Sequence, residues 1–354
     1  MSRTALLPSS GDPFLLTFWF GQFLKVWQNE VDELIIHLNG YAEAEVVEYV
    51  RQMVLLSPKA KFIHTPSTVT HGNSIDLMLD EVKTDLVVLL EEDAPIFKPG
   101  TIDYCFKYIE EQGYEVVGSK RGSCALEILE RAKEVWGLDY SGYGDQGCNF
   151  WPCFLFTKTQ ILKDTDRNFD SKQWKAGTYI PELDWTTSTD VHGDTFVNTS
   201  LQLRAKKCRI KEIPQYHCYT DDMPDYEKKM GIYDGYAPWV HIGSLSSCFN
   251  GALVDDTNRA LGRRLVEAPK SDYPLQANTV GEKQEWERRL VWLSIAYSGF
   301  HSNDYLSKET KDILKVFSIE YGNALEKAVR YLGLNKERMF QRMKIYLELL
   351  NKYV

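Results

Sequence analysis

Apolar and polar positions in the first 120 residues alternate between short β-rich runs and longer stretches whose apolar residues recur three and four apart. That alternation predicts a parallel sheet covered by helices. Residues 14–20 read as a first strand and 22–28 as a helix, while 32–38 read as a second strand stopped by Asn39-Gly40. A helix follows over 42–56, ended by Ser57-Pro58, then a short strand at 61–64, a loop over 65–70 and a helix at 73–82. Residues 85–90 are a nearly unbroken apolar run, the mark of a central strand in a parallel sheet. Pro95 and Pro99-Gly100 close the loop after it, ahead of a helix over 102–112 and a strand over 115–118.

The middle of the chain is less regular. Residues 137–149 are rich in Gly, Tyr and Asp and predict a long surface loop, 150–156 are strand-like, 187–207 are helical in part, and 208–213 form a strand. From about Gly281 the texture becomes helical throughout. Trp286, Leu290, Leu293 and Tyr297, then Ile313, Val316 and Phe317, then Leu325, Val329 and Leu332, and finally Phe340, Met343, Leu347 and Leu350 keep the helical spacing. Two units are therefore expected, an α/β domain over 1–265 and a helical domain over 275–354.

Composition narrows the class. Of 354 residues, 44% are hydrophobic and 13% aromatic, enough apolar surface for an ordered core. The formal charge of -9 gives no general attraction to nucleic acid or anionic membrane, although the stretch from Gly281 to Val354 is mildly basic. Seven Cys, without metal-ligand spacing, suggest reduced thiols in a cytosol-like compartment and indicate no zinc site. The N-terminus lacks a signal-peptide pattern and no apolar run approaches a membrane span, so a soluble, cytoplasmic protein is expected.

Candidate chemistry gathers at the end of the 85–90 strand, because ligands of open α/β sheets bind beyond the carboxyl ends of the strands. Glu91, Glu92 and Asp93 follow that strand directly. Three consecutive acids there repel one another, an arrangement that a bound cation would balance, and their oxygen ligands suit Mg²⁺ or Mn²⁺ bridging a diphosphate.

The segment from Asn73 to Asp93 resembles the helix, strand and DxD element of GT-A glycosyltransferases, the family 2-like enzymes in particular, within a likeness that spans roughly 13–247. The resemblance implies a GT-A-like, Rossmann-related α/β fold and transfer of a sugar from a nucleotide-diphosphate sugar, a UDP-sugar being favoured. It implies Asp93 as a metal ligand and Glu91 on the ribose or the metal, with Glu92 beside the donor. Glu91 departs from the family's first Asp by one methylene. The nucleotide pocket would be lined by Trp19, Phe20, Asn39, Gly40, His71, Gly72 and Asn73. The family often carries Asp after its second strand, where this chain has Asn39, so the base stays open.

A second acidic cluster holds Asp184, Asp190, His192 and Asp194. Inverting transfer needs a group that takes the acceptor hydroxyl proton. Gly193-Asp194-Thr195 reads as the opening of a helix, similar to the family's Glu-Asp segment, which makes Asp194 the candidate base and Asp190 the reserve. His241, in Trp239-Val240-His241-Ile242-Gly243-Ser244, resembles the late His that completes the metal shell, with His217 as its competitor. Asn149 and Trp151 would face the acceptor, and Lys120-Arg121 could meet a phosphate. The expected cofactor is Mn²⁺ or Mg²⁺, and the expected acceptor is a glycan, a small molecule or a hydroxylated nucleic-acid base, with no membrane partner. The alternatives are a sugar-nucleotide-forming nucleotidyltransferase, disfavoured by the absence of a Gly-rich basic loop near the N-terminus, and a non-catalytic GT-A-like binding module.

Overall fold

A computed structural model describes residues 1–9, 12–41, 43–118, 122–138, 146–150, 152–213 and 280–351. The chain opens with β1 (Arg3–Ser9) and α1 (Pro13–Gln22), then β2 (Glu33–Asn39), α2 (Ala44–Val54), β3 (Ala60–Thr65), α3 (His71–Glu81) and β4 (Leu86–Leu90). Next come α4 (Thr101–Glu110), β5 (Val116–Gly118), β6 (Gly122–Ser123), α5 (Leu126–Trp136), β7 (Gln146–Asn149), β8 (Phe154–Lys158) and α6 (Thr159–Lys163). Four short strands, β9 (Lys172–Trp174), β10 (Tyr179–Ile180), β11 (Trp185–Thr186) and β12 (Val191–Gly193), lead to α7 (Val197–Ala205) and β13 (Ile210–Glu212). After residue 279 the described chain is helical: α8 (Val280–Ser302), α9 (Lys308–Ile313), α10 (Lys315–Tyr331) and α11 (Lys336–Asn351).

Seven strands form the main sheet in the order β13-β5-β8-β4-β1-β2-β3. All neighbours are parallel except β8, which runs antiparallel between β4 and β5. β4 is buried at every position, as its unbroken apolar run requires of a central strand. Among the described residues no helix is long and apolar enough to cross a membrane.

The first expected strand is a helix. Residues 14–20 lie in α1, and the strand that precedes the parallel crossover is Arg3–Ser9. Asp12 accepts hydrogen bonds from the Phe14 and Leu15 backbone amides, and Pro13 takes the first helical position, so Asp-Pro starts a helix where a uniformly apolar run suggested a strand. Eight of the ten α1 residues are buried, and a helix buried all round has no amphipathic period to betray it. α5 was not anticipated, and β7 occupies part of the expected 137–149 loop.

The C-terminal helices share the core of the sheet. Phe14 of α1 packs edge-on against Tyr297 and Phe300 of α8 and lies 4.6 Å from the Tyr321 ring of α10. Trp292 stacks near Phe97, which follows the β4 loop. Glu287 of α8 is fully buried, its carboxylate gripped by Arg338 (Nε to Oε1, 2.8 Å) and by Arg342 (Nη1 to Oε1, 3.2 Å) of α11.

Asp12 joins these two parts. Besides capping α1, its carboxylate accepts the Tyr321 hydroxyl at 2.7 Å, and it is only 2% exposed. Burial pushes this carboxyl up to about 6, against the pull of its three hydrogen bonds. The folded protein therefore holds a proton on Asp12 at pH values where the unfolded chain has lost it. The resulting stabilisation is complete below about pH 4 and is lost as pH rises through about 6. Asp12→Asn keeps a cap and removes the ionisation. Denaturant unfolding should show the variant gaining on the wild type by roughly 2–3 kcal/mol between pH 4 and pH 7. A pH-independent difference would contradict this account.

Candidate functional site

The three acids after β4 lie in one tight turn. The Ala94 amide donates to the Glu91 carbonyl at 2.9 Å, closing a tight turn. Glu92, 4% exposed, turns inward, where Ser9 Oγ donates to its Oε2 at 2.8 Å and lies 2.6 Å from the Tyr41 hydroxyl. The middle acid thus ties the end of β4 to the end of β1 and to Tyr41, just beyond β2. Glu91 and Asp93 both press on the Cys153 thiol at the start of β8, which burial drives well above its usual range and the two carboxylates drive further. His71, the first residue of α3, brings Nε2 to 3.5 Å from Glu91 Oε1.

Around the start of α3 the structure revises several expected contacts. Trp19 and Phe20 are 1% and 0% exposed within α1, where Trp19 packs on Trp27 and Phe20 on Phe23, so they belong to the core and do not line a nucleotide pocket. The Asn39 amide holds the backbone of Val69 at both ends, Nδ2 to O at 2.9 Å and N to Oδ1 at 2.8 Å, which orders the 65–70 loop in place of reading a base. Gly72 does permit a close approach, but the approaching backbone is the chain's own: a Cβ there would lie 2.3 Å from Asp170 N. The Gly72 amide donates to Asp170 Oδ1 at 2.6 Å, and the Asn73 amide donates to Thr70 Oγ1 at 3.3 Å. Beneath them His37 is fully buried between Ser74 Oγ (2.5 Å) and Thr65 Oγ1 (3.0 Å), and burial pulls its imidazole down to about 4, so it bridges β2, β3 and α3 as a neutral ring.

On the other side, Asp194 follows β12. It does not open α7 as its sequence context suggests. Its Oδ1 accepts the Thr195 amide at 2.8 Å and its carbonyl accepts the Val197 amide, forming a turn before a helix that begins at Val197. Phe196 supplies the transition with φ at 72°, a left-handed conformation unusual for an aromatic residue. Asp190, the reserve base, is committed elsewhere: Lys175 Nζ lies 2.7 Å from its Oδ2 and the Ala176 amide donates to Oδ1 at 2.9 Å, which together hold its carboxyl below the usual range. Asp184 accepts the Tyr179 hydroxyl, and His192 is exposed on β12. Asn149 lies at the end of β7, whose backbone pairs with Gly122. Lys120, Arg121, Trp151, His217 and His241 lie outside the described residues.

The order β3-β2-β1-β4, with an antiparallel β8 beside β4 and an acidic turn at the end of β4, decides the fold. The architecture is GT-A-like. No family model and no curated protein matches the chain. Among solved structures, the mannosyltransferase PcManGT from Pyrobaculum calidifontis, in complex with GDP-Man and Mn²⁺, is 12% identical, covers 99% of this chain and 81% of its own, and gives a TM-score of 0.40. Glucosyl-3-phosphoglycerate synthase from Mycobacterium tuberculosis, in complex with Mn²⁺, UDP and phosphoglyceric acid, is 13% identical over 60% of this chain and 68% of its own, with a TM-score of 0.40. S. aureus TarS is 12% identical over 94% of this chain, which spans about half of TarS (54%), with a TM-score of 0.38.

The donor set of this GT-A-like sheet fits one kind of metal. Among the described residues no three His, Cys, Asp or Glu side chains converge as a metal cage. Two carboxylates, Glu91 and Asp93, are what Mg²⁺ or Mn²⁺ commonly takes from protein when phosphate oxygens fill the other positions. Zinc, which asks for three or four protein ligands, is poorly served.

Proposed function

We propose that this protein transfers a sugar from a nucleoside-diphosphate sugar to an acceptor hydroxyl, with inversion at the anomeric carbon and with Mn²⁺ or Mg²⁺ as its metal. The reading is supported by the acid turn: at the end of the buried strand β4, Glu92 is locked inward on Ser9, and Glu91 and Asp93 flank it in one tight turn. Asp93 and Glu91 would hold the metal, which when bound neutralises the charge of the departing diphosphate. His241 remains the proposed third protein ligand.

Asp194 is the proposed base. It takes the acceptor hydroxyl proton as the acceptor oxygen bonds to the anomeric carbon; the bond from that carbon to the diphosphate breaks, and its electron pair leaves with the nucleoside diphosphate. Asp190 serves this role poorly, because Lys175 and the Ala176 amide stabilise its ionised form and so weaken it as a base. Asn149 and Trp151 are proposed on the acceptor side.

Calorimetry with UDP and GDP, each with and without Mn²⁺, tests the reading. Metal-dependent binding of one of them, followed by turnover of the matching nucleotide sugar, is expected. Absence of both for every nucleotide tried would favour a non-catalytic module.

A further inference from the structure

Residues 166–170 run as a strap between the helices that begin at the two halves of this site. On the α3 side, Arg167 pairs with Asp76 and, at 2.8 Å, with Asp80, while the Asp170 carboxylate accepts both the Thr70 hydroxyl and the Gly72 amide at 2.6 Å. On the α7 side, Asn198 Nδ2 donates to Asp166 Oδ2 at 2.6 Å, and the Asp166 amide donates to Gln202 Oε1 at 3.0 Å. The Phe196 amide donates to the Phe169 carbonyl at 2.7 Å, and the two rings stack at 5.3 Å.

The placement of these bonds gives the strap its meaning. Thr70 and Gly72 grip Asp170, and His71 between them faces Glu91. Phe196, held by Phe169, lies two residues beyond Asp194 and keeps its left-handed conformation under that restraint. Adjacent residues 169 and 170 therefore anchor the donor-side acid and the candidate base to one short piece of backbone.

We infer that Asp170 is a positioning residue, fixing the separation between the Glu91–Asp93 turn and the Asp194 turn; the inference rests on the glycosyl-transfer reading above. Its carboxylate grips the start of α3 on either side of His71, and its neighbour Phe169 holds Phe196 on the other side. A misplacement of about 1 Å between reacting groups costs on the order of 100-fold in rate while leaving binding nearly intact.

The test compares Asp170→Ala and Asp170→Asn with the wild type, measuring kcat for transfer and the affinity for Mn²⁺ with UDP or GDP. Asparagine keeps an oxygen for the Gly72 amide and offers an NH₂ to the Thr70 hydroxyl, so it should restore the grip. Asp170→Ala is expected to lose roughly 10- to 100-fold in kcat with nucleotide affinity changed less than about threefold, and Asp170→Asn to recover most of the loss. Should Asp170→Ala fail to fold, Thr70→Val removes one of the two grips and should lower kcat with the same split. Unchanged kcat in the variants, or a parallel fall in nucleotide affinity and kcat, overturns the positioning role. A wild-type protein that binds neither nucleotide overturns the transfer reading itself, and the role with it.

Discussion

Alanine at position 93 is expected to lower metal-dependent turnover of the donor by on the order of 10²–10³-fold while leaving the protein folded, because it removes a carboxylate from where diphosphate charge must be balanced. Asp93 is 6% exposed and directly follows Glu92, the acid that Ser9 holds. The substitution should also abolish any thermal stabilisation of the protein by Mn²⁺ with nucleotide. Initial rates over a Mn²⁺ titration, paired with melting curves, check both halves. Full turnover in Asp93→Ala would end the metal assignment.

Glu287→Ala should cost about 3–5 kcal/mol of folding stability, since it removes the fully buried carboxylate that both Arg338 and Arg342 approach. The Arg342 side chain is 8% exposed and that of Arg338 is 48% exposed. Most of the loss belongs to Arg342, because solvent screens its neighbour. Replacing the buried pair together, as Glu287→Leu with Arg342→Met, should recover much of the stability, as apolar side chains of similar size fill the space without desolvating ions. Denaturant midpoints with unchanged slopes would read the effect directly. A loss below about 1 kcal/mol for Glu287→Ala would mean that water reaches Arg342 in the variant.

The parallel strands at 32–38 and 85–90 were legible because apolar runs ended in clear turn signals, and the acid turn was legible because it follows one of them. The run 14–20 misled because a buried helix and a buried strand look alike by periodicity; the Asp12-Pro13 pair held the missing information in its capping chemistry. α5 could have been read from Ile128, Leu129 and Ala132 ahead of Gly137. Local pattern could not supply the partners of Glu92 or Gly72. Ser9 and Asp170 stand 83 and 98 residues away from them, and only the sheet and the strap bring them together. Nor could local pattern show that the group packed against Gly72 is the chain's own Phe169–Asp170 backbone.

The interlock of Phe14 with Tyr297, Phe300 and Tyr321 gives the C-terminal helices the geometry of a handle fixed to a blade. The outer face of α10, where Val316 and Ile319 are exposed, is carried at a set attitude to the end of β1 through Tyr321 and Asp12. Any load on that face therefore reaches α1 through packed rings and one buried hydrogen bond.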